Sequence, residues 1–451
     1  ICGGAHGMTV SQQQKAMDLA VLLSGSKETS TEFRLGGVSI SNIANQVTTP
    51  FFAYGGDALV DRLRRVKSTL GHDTEVYFSI KANPSLGLCQ LMAKEGLGAE
   101  LASIGELLLA QQAGFAPRKV IFAGPGKTLA ELEAAVLWGI ESVNVESEGE
   151  LERLAAVAQK HNRVARVSLR VNPKEQVKGA QMRMGGGHTQ FGIDEEAVAS
   201  VIGRFAKHPH LQFVGIHVYV GSQIFDVDAL LSHCQRVVEL AVEVATGIDA
   251  PLETIDFGGG FAVPYFENSH EFDLERFASG FRAIISAARS RPHLAQFRPI
   301  IELGRFLVAE CGVYVTRVID VKQSRGVTYA VTDGGMNHHI TATGNFGQVF
   351  RKPYPMAVLN RLQTSDCEAI EVVGPCCTPL DVLGHKISLP RVLPGDLIGV
   401  FYSGAYGYSA SSLQFLSHPT PAEVLVLERS IHVLRDAGRP DHVLNGQHAL
   451  K

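Results

Sequence analysis

Short apolar runs alternate with amphipathic stretches through the middle of the chain, and this alternation restricts the fold more than any other feature. The intervening stretches at 105–113, 128–137, 148–160 and 228–245 have a helical pattern. Strands that alternate with helices pair in parallel through right-handed crossovers. Eight such units predict an α/β fold of the (β/α)8 TIM-barrel type, with a doubly wound open sheet as the alternative. The eight expected strands are 75–80, 99–103, 119–123, 142–146, 166–171, 213–220, 254–257 and 299–303.

The rhythm changes after Arg305, where strand-like runs follow one another without long helices between them. Turns such as Asp333-Gly334-Gly335 separate these runs, so we expect a C-terminal all-β domain, a β-barrel or a sandwich. A polar helix is expected from 8 to about 30 and a short strand at 48–54. The predicted parts are a segment 1–50 that packs partly with the β domain, a barrel over 51–310 and the β domain over 311–451. The runs in the β domain are 306–320, 321–333, 369–373, 391–400 and 423–427.

Composition is that of an ordinary soluble protein. The chain is 45% hydrophobic and 19% charged with a formal net charge of −4, which predicts neither nucleic acid nor a membrane as partner. Seven scattered cysteines without metal-ligand spacing indicate free thiols in the cytoplasm. No apolar run is long enough to span a bilayer. The residues before Met8 lack the parts of a secretion signal, and we expect them to lie outside the fold.

Lys81 stands at the end of the first barrel strand, in the sequence Ser79-Ile80-Lys81-Ala82-Asn83. In a parallel barrel the active site lies at the carboxyl ends of the strands. Apolar neighbours there would lower the lysine pKa and free its amine to form a Schiff base. A surface lysine at the mouth of a strand is the alternative interpretation.

Two glycine triples follow barrel strands. Gly258-Gly259-Gly260 is a candidate phosphate cradle, because backbone N–H groups can approach an anion where no Cβ intervenes. A tight turn explains this triple equally well. The second triple, Gly185-Gly186-Gly187, follows Met182-Arg183-Met184 and is interpreted as a mobile connection rather than a ligand loop.

Three further groups have a functional and a structural interpretation. Glu302 either pairs with Arg305 or holds a protonated ring nitrogen. His338-His339 have no partner at metal-ligand spacing, so no metal is expected. Cys376-Cys377 follow a Gly374-Pro375 turn, where a thiol can donate a proton, and the alternative is two buried structural thiols.

The ordered set of these motifs resembles the fold-type III pyridoxal-phosphate decarboxylases, the family of ornithine, diaminopimelate and arginine decarboxylases. The resemblance runs from about 50 to 410 and implies a barrel with a β domain. It also implies a head-to-tail homodimer with active sites at the interface. The matching motifs are YFSIKAN at 77–83, ELAS at 100–103 with Glu106, Gly221-Ser222, DFGGGF at 256–261, ELGR at 302–305, GPCC at 374–377 and Gly404-Ala405-Tyr406.

The resemblance also implies roles for individual residues. Lys81 would hold pyridoxal 5'-phosphate as a Schiff base, and Glu302 would bind its ring nitrogen. Cys377, reaching across the dimer, would protonate the product carbon. The phosphate would be bound by Gly258, Gly259, Gly260, Ser222, Arg305 and Tyr406. The cofactor site would further include Glu100, Arg170, Tyr219 and Gly304.

The sequence departs from the family pattern at two positions, one near the cofactor and one near the substrate. Tyr219 occupies the position of the histidine that usually stacks on the cofactor ring, and the nearest histidine is His217. Tyrosine can also stack on the ring. Thr378 follows Cys377 where ornithine and diaminopimelate decarboxylases carry an acid that contacts the distal part of the substrate. A distal ammonium would then lack its partner.

The loop at 182–187 and the sequence CCTPLD at 376–381 look more like the branch of the family that acts in secondary metabolism. We therefore expect a decarboxylase of an amino-acid unit carried on a larger group, such as a carrier-protein thioester or a citrate-linked siderophore intermediate. A decarboxylase of a free diamino acid is the alternative. A catalytically silent regulator would not need Lys81, Glu302, Arg305 and Cys377 together, and an alanine-racemase-like enzyme has no role for Cys377.

Overall fold

The computed structural model describes residues 11–26, 30–174, 182–183, 185–205, 207–267, 269–345, 352–362 and 366–450. The α-helices in these ranges are α1 Gln12–Ser24, α2 Ile40–Gln46, α3 Gly56–Leu70, α4 Leu86–Lys94, α5 Ile104–Ala113, α6 Leu129–Trp138, α7 Glu148–Lys160, α8 Val198–Phe205, α9 Val227–Ile248, α10 Leu274–Ala288 and α11 Arg305–Val308. None of these helices is both long and apolar enough to cross a membrane.

The strands are β1 Arg34–Leu35, β2 Val38–Ser39, β3 Phe51–Gly55, β4 Glu75–Ser79, β5 Gly98–Leu101, β6 Val120–Phe122, β7 Ser142–Val145, β8 Ala165–Asn172, β9 Met182–Arg183, β10 Ile193–Asp194, β11 Leu211–His217, β12 Gly221–Ser222, β13 Thr254–Gly259, β14 Arg298–Leu303, β15 Gly312–Ser324, β16 Val327–Thr332, β17 Met356–Val358, β18 Cys367–Val373, β19 Val382–Pro390, β20 Leu397–Val400, β21 Ala422–Leu427 and β22 Ser430–Arg435.

The chain divides into two compact units. The barrel unit contains Arg62–Val263 and Glu271–Leu307, and the sheet unit contains the described residues up to Asp61, Pro264–His270 and those from Val308 onward. These bounds differ from the predicted division in three places. Residues 51–61 and 308–310 group with the sheet unit rather than the barrel. Pro264–His270, although it lies within the barrel sequence, also belongs to the sheet unit.

Eight parallel strands close the barrel unit. They follow one another as β4, β5, β6, β7, β8, β11, β13 and β14, and β14 then pairs with β4 to complete the circle. Closure confirms the predicted barrel and excludes an open doubly wound sheet. All eight predicted strands are present, and five of them are followed by a helix whose first turn is capped by a side chain. Ser103, Thr128, Ser147, Asp226 and Asp273 accept such N-terminal hydrogen bonds.

The sheet unit is built on a nine-stranded sheet whose main path is β19-β18-β16-β15-β3-β21-β22. β3 lies between β15 and β21, so Tyr54 is paired with Gly312 and Phe51 with Ala422. The separate sheet domain confirms the predicted class. The expectation of a strand from 306 is wrong at its start, where Arg305–Val308 is helical, and β17, β19 and β22 were not predicted.

Candidate active site

Lys81 lies in a single 3-10 turn, Ile80–Ala82, directly after β4. Its Nζ is 3.0 Å from Glu100 Oε1 and 2.8 Å from Glu100 Oε2, and it lies 6.0 Å from the centre of the Tyr219 ring. The lysine side chain is 39% exposed, whereas that of Glu100 is 2% exposed. The expectation of apolar surroundings for this amine is therefore wrong. A buried carboxylate faces it from the end of the neighbouring strand.

Three buried titratable side chains meet at the ends of β11, β13 and β14. A ring nitrogen of His217 and one carboxylate oxygen each of Asp256 and Glu302 lie within 4.8 Å of one another. His217 Nε2 is 3.6 Å from Glu302 Oε1. Burial and the charge of Glu302 raise the pKa of Asp256 well above its ordinary value. Although burial opposes it, His217 lowers the pKa of Glu302. Of these two carboxyl groups, Glu302 is therefore the one that carries a negative charge more readily.

The side-chain atoms of this cluster also have few partners. Glu302 Oε1 and Asp256 Oδ2 are buried and receive no hydrogen bond from any described residue. Buried carboxylate oxygens are normally hydrogen-bonded, so such atoms call for an explanation. Of the two interpretations of Glu302, pairing with Arg305 is not seen among the described residues, where the ion-pair partner of Glu302 is His217.

The glycine triple at the end of β13 lies against neighbouring backbone. Gly258 and Gly260 have φ values of +64° and +93°, which favour glycine. A Cβ on Gly258 would lie 2.8 Å from Tyr219 Cδ2, and one on Gly260 would lie 2.3 Å from Gly221 O. The triple therefore brings bare backbone to the same strand ends as Tyr219. Gly304 is close-packed as well, since its Cβ would lie 2.9 Å from Ala82 Cβ in the Lys81 turn.

Arg170 is fixed by a carboxylate that the sequence did not single out. Its Nη1 donates to Glu146 Oε1 at 2.9 Å, and its guanidinium lies 4.8 Å from the centre of the Phe191 ring. Gly124 N and Gly192 N donate to the same carboxylate. Although burial opposes it, Arg170 helps to lower the pKa of Glu146. Glu146 thus joins the ends of three adjacent strands.

The second glycine triple is attached to the barrel. Asn172 Oδ1 accepts from Gly186 N at 2.9 Å, and Asn172 Nδ2 donates to Gly187 O at 2.8 Å. Just before it, β9 pairs with β12, which places Met182 opposite Ser222. Met184 and 175–181 lie outside the described residues. The described part of this loop is held at both ends, which the interpretation as a mobile connection did not anticipate.

The cysteine turn belongs to the sheet unit. Cys377 is exposed and Cys376 is buried, so the interpretation as two buried thiols is wrong. Burial and then Asp381 raise the pKa of Cys376 to about 12. Thr378 N donates to Cys376 O at 2.8 Å, and Thr378 Oγ1 accepts from Leu380 N at 3.3 Å. The turn therefore presents one thiol and buries the other.

Tyr406 and the two adjacent histidines also lie in the sheet unit. Tyr406 O accepts a hydrogen bond from Thr341 Oγ1. His339 Nε2 is 2.8 Å from Ser403 Oγ, and His338 Nε2 is 2.9 Å from Pro419 O. Burial lowers the pKa of His338 to about 4 and that of His339 to about 3. These histidines are neutral structural groups hydrogen-bonded within their own unit.

Comparison with known proteins identifies the family. Residues 57–309 match the model of the pyridoxal-binding domain of pyridoxal-dependent decarboxylases. The chain is 37% identical over 416 residues to L-glutamyl-[BtrI acyl-carrier protein] decarboxylase of Niallia circulans, covering 92% of this chain and 97% of that one. It therefore belongs to the pyridoxal-dependent decarboxylase family, and it is a decarboxylase of that family.

One further relative and one solved structure support this assignment. The chain is 31% identical to 2-[(L-alanin-3-ylcarbamoyl)methyl]-2-hydroxybutanedioate decarboxylase of Staphylococcus aureus, over 82% of this chain and 92% of that one. The crystal structure of diaminopimelate decarboxylase from Helicobacter pylori complexed with L-lysine superposes with a TM-score of 0.80 at 29% identity. That match covers 90% of this chain and 98% of the other. The family suggested by the sequence motifs is thus confirmed.

Some residues of the site were not foreseen. Asp256 was seen only as part of a motif, and Glu146 only as a strand end. The usable signal was position: Asp256 lies within the predicted strand 254–257 and Glu146 is the last residue of the predicted strand 142–146, where a charged residue is rarely buried without a partner. Their partners lie on other strands, so the sequence gives no distance between them.

Proposed function

We propose that this decarboxylase binds pyridoxal phosphate through Lys81 and removes the α-carboxylate of an amino-acid unit attached to a larger group. The residues at the barrel mouth fit this cofactor. Lys81 offers an amine, and Glu302 offers a buried carboxylate oxygen without a donor among the described residues. Gly258 and Gly260 place backbone without side chains, at positive φ, at the same strand ends. When bound, the cofactor supplies an electron sink for the electron pair left by the departing carboxylate.

The protein's own residues then have distinct tasks. Glu302, whose pKa His217 lowers, would hold a proton on the ring nitrogen. Lys81 would supply the amine that holds the aldehyde group. The phosphate would be bound by Gly258, Gly259, Gly260, Ser222, Arg305 and Tyr406, and Glu100, Arg170, Tyr219 and Gly304 would complete the cofactor site.

Cys377 is the proposed proton donor. Its exposed thiol can give a proton from Sγ to the carbon that has lost the carboxylate. In the proposed head-to-tail homodimer the thiol comes from the second copy. Because Cys376 is buried with a raised pKa, only the exposed thiol of this pair is suited to the task.

The choice of substrate rests on the burial and hydrogen bonding of the Asp381 carboxylate. Thr378 has no charge, so Asp381 is the nearest acid after Cys377. Asp381 is 3% exposed, and its carboxylate accepts from Met336 N and Cys376 N. Within the turn, neither residue offers a carboxylate to a distal ammonium. A substrate whose distal end is an acyl linkage needs no such partner.

The relatives support this choice. The Niallia circulans protein is named for a glutamyl unit on an acyl-carrier protein, and the Staphylococcus aureus protein for an amide of a hydroxybutanedioate. The second candidate is a free diamino acid, favoured by the similarity to the Helicobacter pylori diaminopimelate decarboxylase bound to L-lysine.

A substrate panel separates the two candidates. Carbon dioxide release is measured for diaminopimelate, ornithine, lysine and arginine, and for a glutamyl carrier-protein thioester and a citrate-linked amino acid. We expect kcat/KM to be at least about 100-fold higher for a conjugate, because an ammonium without its partner is strongly rejected. Fast turnover of any free diamino acid overturns the proposal.

A variant pair sharpens the panel. Thr378→Glu supplies the missing charge and is expected to raise kcat/KM for free diamino acids by about tenfold, the value of one charge-assisted hydrogen bond. Thr378→Ser keeps the hydroxyl and serves as the control.

A further inference from the structure

The cysteine turn is the connection of a β-hairpin. β18 and β19 are antiparallel, with Val373 opposite Val382, and residues 374–381 join them. A connection of this length does not fix its own shape, because hairpin loops are most often two to five residues long. The position of the Cys377 thiol therefore depends on what holds the turn.

The carboxylate of Asp381 bridges this turn and a second one. Oδ2 accepts from Cys376 N at 2.8 Å, and Oδ1 accepts from Met336 N at 2.6 Å. The backbone of Asp381 adds to this, since its carbonyl accepts from Gly374 N at 3.2 Å and its N–H donates to Thr378 O. Hydrogen bonds to an ionised acceptor are about twice as strong as neutral ones.

The surrounding backbone is built around this carboxylate. A Cβ on Gly335 would lie 2.1 Å from Asp381 Oδ1, and one on Gly374 would lie 2.4 Å from Oδ2. The second turn is itself fixed, because Asp333 Oδ1 accepts from Thr316 Oγ1 and Arg317 N at the end of β16. Asp381 thus ties the cysteine turn to a part of the sheet that is already rigid.

We propose that Asp381 is a positioning residue that holds the 374–378 turn, and with it the thiol of Cys377, in one place. The catalytic meaning of this inference rests on the proposed function of Cys377. The inference itself concerns the geometry of the turn and can be tested without turnover.

The test measures alkylation of individual cysteines in the holoenzyme. Asp381→Ala is treated with iodoacetamide, and each cysteine-containing peptide is quantified by mass spectrometry over time. Cys367 is exposed at the start of β18, at the end of the hairpin away from the turn, and serves as the internal reference. We expect the alkylation rate of Cys376, relative to that of Cys367, to rise about tenfold or more, since each hydrogen bond to a charged group is worth at least about a factor of ten.

Kinetics provide a second readout, with kcat expressed per folded, cofactor-loaded subunit so that a loss of folded protein does not lower it. With the best substrate of the panel, kcat is expected to fall about tenfold or more, because a displaced catalytic group is costly, while KM stays within about twofold. Asp381→Asn retains one acceptor oxygen and should give an intermediate result in both measurements.

Asp396→Ala is the matched control. Asp396 is also a buried aspartate of the sheet unit, and it holds a different turn by accepting from Leu393 N at 2.7 Å. It should lower the melting temperature without altering alkylation of Cys376. The proposal is overturned if Cys376 remains protected in folded Asp381→Ala, or if Asp396→Ala exposes it equally. Where Asp381→Ala does not fold, Asp381→Asn decides by the same criterion.

Failure here is distinguishable from failure of the proposed function. Normal amine formation by Cys377→Ala would remove the acid role of that thiol. It would leave the alkylation result for Asp381 unchanged.

Discussion

The two ends of the barrel both carry acids and bases, but they arrange them differently. At the amino ends of the strands, arginines lie between carboxylates. Arg298 contacts Glu141 at 2.5 Å and Glu75 at 3.1 Å, and Arg166 contacts Glu141 at 2.7 Å and Glu253 at 2.8 Å. Although burial opposes it, Glu141 and Glu75 raise the pKa of Arg298. Charge at this end is balanced within the protein.

At the carboxyl ends the balance is incomplete. Asp256 and Glu302 share one cluster with His217, and two of their oxygens receive no hydrogen bond from the described residues. Lys81 faces Glu100 but keeps 39% of its side chain exposed. The difference indicates that the amino end is organised for stability and the carboxyl end for binding a charged ligand.

The largest expected effect distinguishes a lysine at the carboxyl end of the barrel from one at the amino end. Lys81→Ala should reduce carbon dioxide release by more than about a thousandfold, as loss of a covalent catalytic group does, and abolish the visible band of the bound cofactor. Lys119 is a matched control at the amino end, since it is 40% exposed and lies 3.1 Å from Glu75. Lys119→Ala should change activity by no more than about twofold. An unchanged spectrum in Lys81→Ala would remove the lysine assignment.

The next effect compares two buried glutamates. Glu302→Gln should lower kcat by about 100-fold or more, because a neutral amide cannot hold the proton on the ring nitrogen. Glu141→Gln should leave kcat unchanged but lower the free energy of unfolding by about 1–3 kcal/mol, since two arginines lose part of their partner. Steady-state kinetics measure kcat of both variants, and urea unfolding measures their free energies of unfolding. Equal losses of activity would show that the two ends are not functionally distinct.

The smallest effect concerns Tyr219. If this ring stacks on the cofactor, Tyr219→His should keep the dissociation constant of pyridoxal phosphate within about threefold, and Tyr219→Ala should raise it about tenfold, as expected for one aromatic contact. Fluorescence titration of the apoenzyme measures both constants. A Tyr219→Ala variant that binds pyridoxal phosphate as tightly as the unaltered protein would contradict the stacking role.

The sequence was most informative about elements whose residues are neighbours in the chain. The eight barrel strands could be predicted because a buried parallel strand is an apolar run between helix caps. Phe51–Gly55 has the same composition, yet it pairs in the sheet unit with β15 and β21. Strand propensity does not specify a partner, so the sequence could not show that this strand pairs outside the barrel.

The site could be predicted as a set of positions but not as a set of contacts. Lys81, Glu302 and the glycine triple were found because each ends a strand. The cluster of His217 with Asp256 and Glu302 depends on closure of the barrel, which brings β11, β13 and β14 side by side. For Lys81 the sequence left apolar surroundings and an exposed position at the strand mouth as alternatives, because a strand end does not show how far the side chain extends from the barrel.

The position of β3 has a consequence for the order of folding. The strand is synthesised before the barrel, but both of its neighbours in the sheet, β15 and β21, are synthesised after it. All five residues of this apolar strand are buried in the final sheet. The strand therefore remains unpaired while the whole barrel emerges from the ribosome. Pairings of such long range form late, and waiting edges of this kind are exposed to aggregation. The barrel can fold before synthesis ends, whereas the sheet that carries the cysteine turn is completed only after its last strands have been synthesised.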